Sequence, residues 1–175
     1  MLVAAPPLVD PNFDRTVVLL LAHDPSDGAL GIVLNRPSGV AVGEYLEPWQ
    51  RLALDPGEVF IGGPVQPEGV IGLGWVEGSL PDGVRPLTDG VGVVDLHRAP
   101  EELPGVTGVR LFAGHAGWSP GQLEAEIREG AWFTVDALPG DLRSEHPEHL
   151  WRTVLRRQGG QLRALAHYPD DPSLN

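Results

Sequence analysis

The sequence predicts an α+β domain, and three observations carry that prediction. Segments of strand character outnumber helical ones. The two kinds do not alternate regularly, as they would around a doubly wound parallel sheet. Glycine (23 residues) and proline (18) are spread along the chain as punctuation, marking many short elements joined by tight turns.

Taken in order, Leu2–Ala5 and Thr16–His23 read as strands, the second apolar on both faces as a central strand requires. The turn signature Asp24–Gly28 leads into a strand over Ala29–Asn35, which predicts a hairpin. A short helical pattern covers Val42–Trp49. Further strands are predicted over Val59–Ile61, Val70–Val76, Val91–Leu96, Val109–Ala113 and Trp132–Val135, with Glu77–Arg85 as a surface loop. Ser119-Pro120-Gly121-Gln122 reads as a helix start, with a capping serine, proline at the first helical position and a capping-box glutamine. Leu123 and Ile127 share a face behind it, and Gly130 stops the helix. A second helix from about Pro147 to Gln158 puts Leu150, Trp151, Val154 and Leu155 on one apolar face and ends at Gly159.

Composition excludes several chemistries. A chain of 175 residues fits one domain, and 42% apolar content supplies its core. Cysteine is absent, which removes disulfides, thiolate nucleophiles and thiolate metal sites. All twelve basic residues are arginine, so Schiff-base lysines and the lysine of a phosphate-binding P-loop are absent too. Against 24 acidic residues the formal charge is −12, which disfavours nucleic acid and anionic membranes as partners. Asp10 and Asp14 precede the apolar run Val17–Ala22, where a signal peptide would carry basic residues. That run is also shorter than the ~20 residues of a membrane span. The expectation is a cytoplasmic protein.

Among candidate catalytic groups, His23 stands beside Asp24 and His115 lies inside Gly114–Trp118. Each imidazole suits acid–base work or, more simply, a strand-end bond to a backbone carbonyl. His146 and His149 have the spacing of two ligands on one helix face, or of a solvated helix end. The histidines are otherwise dispersed, so neither a metal nor a cofactor is expected. No serine sits in a nucleophile elbow. Gly62-Gly63-Pro64 follows a strand as a sharp turn, or as a backbone nest for an anion. Asn35-Arg36-Pro37 ends another, where an amide and a guanidinium suit a carboxylate or phosphate as well as a structural turn.

These motifs resemble a known family. Asp10-Pro11-Asn12-Phe13, Arg15-Thr16-Val17-Val18, Gly28-Ala29-Leu30-Gly31 and Asn35-Arg36-Pro37 are similar to the N-terminal signature of the YqgE/AlgH family. Gly62–Val65 is similar to its central motif. Gly114, Ala116-Gly117-Trp118, Pro120–Glu124, Glu126-Ile127, Gly130 and Trp132 are similar to its most specific one. The resemblance implies a bacterial cytosolic protein with a small β-barrel-like mixed sheet surrounded by helices. It implies no activity and carries no catalytic residues; some members bear a transcriptional-regulator label. Residues 1–158 would form the family-like domain. Residues 159–175 would be a divergent tail packed on it or extending from it.

Three functions follow as expectations. The first is a non-enzymatic binding or interaction module, engaging a protein partner or a small anionic ligand through Asn35, Arg36, Gly62, Gly63, His115, Trp118 and Gln122. Those motifs are expected to turn outward together at one end of the sheet. The second is a regulator acting indirectly through a partner. The third is an enzyme on a small polar or anionic substrate, with His23, Asp24 or His115 as its acid–base groups. Direct DNA recognition is not expected. Fluorescence anisotropy with duplex DNA near physiological salt should show no sequence-dependent binding in the range of roughly 10⁻⁸–10⁻¹¹ M typical of specific binders.

Overall fold

The computed structural model describes residues 1–8 and 10–169, so most of the expected tail ending, Asp170–Asn175, lies outside the described residues. Along the chain run β1 (Leu2–Ala4), β2 (Val17–Asp24), β3 (Gly28–Val33), β4 (Pro37–Ala41), α1 (Val42–Tyr45), β5 (Glu58–Ile61), β6 (Val65–Val76), β7 (Val84–Thr88) and β8 (Val91–Val94). Then follow β9 (Val106–Trp118), α2 (Gln122–Arg128), β10 (Trp132–Thr134), α3 (Pro139–Leu142), α4 (Leu150–Arg156) and α5 (Gly160–Leu165). The α+β class holds. The chain forms two compact units, one of Met1–Asn35 with Gly117–Asn175 and the other of Arg36–Ala116. No helix among the described residues is long and apolar enough to cross a membrane.

In unit 1 the strand order is β10-β1-β2-β3, antiparallel throughout. Strand β2 is central, and Val17, Val18, Leu19 and Leu21 are buried along it. The β2–β3 hairpin forms as predicted, and the Asp24 carboxylate accepts the Ser26 N–H at 2.8 Å to hold the turn. Helix α4 follows a 3-10 turn at Pro147–His149 and buries its predicted face of Leu150, Trp151, Val154 and Leu155. The Trp151 indole N–H donates to the Ala4 carbonyl at 2.8 Å and fastens α4 to β1. Helices α3 and α5 were not predicted, because four and six residues are too few to show a period. Helix α2 starts at Gln122, and Gly121 at φ 75° precedes it as N-cap. Only half of the expected capping box forms. The Gln122 side chain accepts the Ser119 N–H at 3.0 Å, and the helix takes no side-chain cap.

In unit 2 the order is β4-β5-β9-β6-β8-β7, mixed because β5 runs parallel to β9 while the other pairs are antiparallel. Its core includes Val42, Trp49, Val59, Leu103, Val109 and Leu111. Among the described residues no pairing joins β4 to β7, so this sheet is open. Helices do not surround it. The unit's described helical segments are α1 and 3-10 turns at Glu47–Leu52 and Pro100–Glu102, because the Gly- and Pro-rich links between strands leave no length for more.

Several boundaries differ from expectation for one reason: glycine and proline stand inside strands here. Strand β9 runs straight through Gly114–Trp118, where the sequence predicts an outward turn. Strand β6 begins at Val65, and β7 begins at Val84 within the expected loop and contains Pro86. Pro37 opens β4 instead of ending a ladder, a position an edge strand permits. Three of the β4 amides are closed off locally. Gly39 donates to Glu58 at 2.9 Å, Val40 to the Ser38 hydroxyl at 3.1 Å and Ala41 to Glu44 at 3.4 Å.

In unit 1 the Asp141 carboxylate, 4% exposed, accepts the Leu138 N–H at 2.7 Å and an Arg157 N–H. Arg157 also donates to the Asp136 carbonyl at 2.7 Å, so one ion pair ties α3 to α4. Asp141→Ala leaves that guanidinium short of its counter-charge. It should lower stability by about 2–3 kcal/mol in urea denaturation at neutral pH.

Candidate functional site

Four of the predicted site residues come together in unit 2. The Ile61 N–H donates to the Arg36 carbonyl at 2.8 Å, and the Gly62 N–H donates to the Ala113 carbonyl at 2.7 Å. Ile61 stands in register with Ala113, and Val65 with His115. Gly62 and Gly63 are buried against β9. A Cβ on Gly63 would lie 2.3 Å from the His115 carbonyl, and one on Gly114 would lie 2.3 Å from the Gly63 carbonyl. Two backbones therefore meet where no methyl group fits, and Gly114 takes φ 69° there. The Gly62 amide is already committed to Ala113, so it does not serve as an anion nest. The seam instead fixes a turn that displays Ile61 (47% exposed), Pro64 and Val65 (40%) to solvent. Arg36 and His115 are half-buried beside it.

The other three lie in unit 1. Asn35 is occupied by backbone: its side-chain carbonyl accepts the Val17 N–H at 2.9 Å, and its amide donates to the Arg15 carbonyl at 2.9 Å. This holds the entry to β2, where Arg15 has a positive φ of 52°. Trp118 is buried against Phe13 and Trp132. Its indole N–H donates to Glu126 at 2.9 Å, and Trp132 donates to the same oxygen at 2.8 Å. The Gln122 amide completes the set at 2.9 Å on the other oxygen. Glu126 thus gathers three N–H groups on one carboxylate, a role that the family-like motif contained but did not assign.

His23 is placed otherwise than expected, whereas His146 and His149 form the solvated helix end. Among the described residues the His23 imidazole bonds neither Asp24 nor a backbone carbonyl. Its Nε2 stands 2.6 Å from Glu124 Oε1, both side chains partly exposed, while Asp24 serves Ser26. His146 and His149 each lie 3.6 Å from Glu148 at the surface. Among the described residues no three His, Asp or Glu side chains assemble as a metal-holding group. The hydrogen bond from His23 is the largest of the influences that lower the Glu124 pKa, followed by the Glu124 backbone amide. A carboxyl lowered on folding adds stability above its unfolded value, about 4.3, and loses it as pH falls through the folded value. An NMR titration should therefore find the Glu124 midpoint below that of a free glutamate side chain, and His23→Ala should move it upward. A midpoint unmoved by His23→Ala would break the assignment.

The profile of the AlgH-like family matches residues 1–163. A UPF0301 protein of Streptomyces coelicolor is 55% identical over 181 residues, covering 100% of this chain and 93% of that protein. One from Thermobifida fusca is 43% identical over 190 residues with the same coverage of both. A crystal structure of a Corynebacterium diphtheriae protein superposes with a TM-score of 0.88 at 36% identity, covering 95% of this chain and 90% of that one. The solution structure of the AlgH protein from Pseudomonas aeruginosa gives 0.69 at 31%, covering 97% and 93%. The resemblance carried by the glycine motifs and the Trp118–Trp132 region is thereby confirmed, and the chain belongs to the AlgH-like family of uncharacterised UPF0301 proteins.

Proposed function

We propose that the chain is a non-enzymatic binding module that docks a protein partner through the unit 2 turn of Ile61, Pro64 and Val65. One observation carries this reading. Two large apolar side chains stand in solvent on a turn that glycine packing makes rigid. Apolar groups on a stiff backbone lose little entropy on docking, and such anchors dominate binding energy at interfaces. Arg36 and His115 stand beside the turn and supply polar contacts at its margin. An indirect regulatory role would act through this same partner, since the charge of −12 opposes direct contact with DNA. A cytosolic location fits a chain without cysteine.

The test is a photo-crosslinking residue placed at Val65 in cells, with one at Leu138, exposed in unit 1, as control. A discrete adduct is expected from position 65, absent from 138, and lost on Ile61→Asp with the melting temperature nearly unchanged. No adduct, equal adducts from both positions, or indifference to Ile61→Asp would overturn the reading.

A further inference from the structure

We infer that a cleft in unit 2 is a binding site for an organic cation on an apolar stem, an alkylammonium or guanidinium group. It stands apart from the docking turn and does not rest on that reading. The cleft encloses about 600 Å³. Its floor is formed by Leu46, Val70 and Leu96, which pack on the unit's core and are themselves only partly buried. Leu96 reaches down across Gly72, where a Cβ would stand 2.9 Å from the leucine methyl, so the glycine gives the floor its depth.

The walls are polar and carry two carboxylates, one of them ion-paired. Glu68 is exposed, and its carboxylate engages no other side chain among the described residues. Asp95 faces the cleft as well, its carboxylate accepting the His97 N–H at 3.1 Å. Arg98 is held by Asp82 at 2.9 Å and by Asp95 at 3.6 Å, which leaves Glu68 as the lining carboxylate without an ion pair among the described residues. Tyr45, 46% exposed, adds an aromatic face, and the His97 ring offers an acceptor nitrogen when neutral. Carboxylates beside an aromatic ring over an aliphatic floor match a cation that carries methylene groups. They repel an anion, and they give a neutral alcohol only the floor. The charge of −12 draws cations toward the whole surface. The same chemistry is presented by a free amine and by a lysine or arginine side chain of another protein.

Amide NMR on the full chain distinguishes these. Butylammonium and Nα-acetyl-lysine methylamide should each shift the Glu68, Val70, Leu96 and His97 amides saturably, with dissociation constants of millimolar order. Butanol should not saturate. Glu68→Gln should weaken the cation about fivefold, and Tyr45→Ala about threefold. Both positions are exposed, so the remaining spectrum should stay in place and report intact folding. A lysine derivative clearly tighter than butylammonium assigns the site to a protein-borne side chain; equal binding assigns it to a free amine. The inference fails if no cleft amide saturates by about 50 mM, if butanol matches butylammonium, or if Glu68→Gln changes nothing.

Discussion

The backbone seam between Gly62–Gly63 and Gly114–His115 is the constraint on which unit 2 depends. At this one place β5 arrives parallel to β9 and β6 leaves antiparallel to it, so the chain must reverse against the strand that both will pair with. Only glycine lets the carbonyls come that close. Reversing there forces Ile61 and Val65 outward. Just beyond it β6 is irregular between Val65 and Val70, where Gln66 takes φ 48° and Glu68 lines the cleft. The turn proposed for docking and the cleft proposed for a cation both border the stretch of β6 that follows this reversal.

Arginine does structural work throughout the molecule. Arg15, Arg98, Arg110, Arg152 and Arg157 all donate to main-chain carbonyls, several in addition to a carboxylate or an aromatic face. A planar fork of donors can satisfy two acceptors and stack at once, which a lysine ammonium cannot. With those cations engaged in holding loops and termini, the acidic excess is left to define what the surface attracts.

Legibility in the sequence followed the range of the interaction. The β2–β3 hairpin and the buried face of α4 were readable because turn chemistry and a helical period are local. Gly114–Trp118 and Pro37 were misread because the same residues that break a strand also permit one beside a crowded neighbour or at an edge. Asn35 showed its type but not its partners, since Val17 and Arg15 lie 18 and 20 positions away. Glu126 was invisible as a hub until folding brought two indoles to one oxygen. The exposure of Ile61 and Val65 follows from the seam, which no periodicity encodes.

The closed amides of β4 restrict how any partner can approach. A free sheet edge invites strand addition, in which a foreign peptide extends the sheet through main-chain hydrogen bonds whatever its sequence. Here Glu58, Ser38 and Glu44 already occupy the Gly39, Val40 and Ala41 donors of one outer strand. At the opposite end of the same sheet Pro86 removes a donor from β7, and the ladder shifts beside it. Both outer strands thus offer fewer free main-chain donors for strand addition, whether by a foreign peptide or by a second copy of this chain.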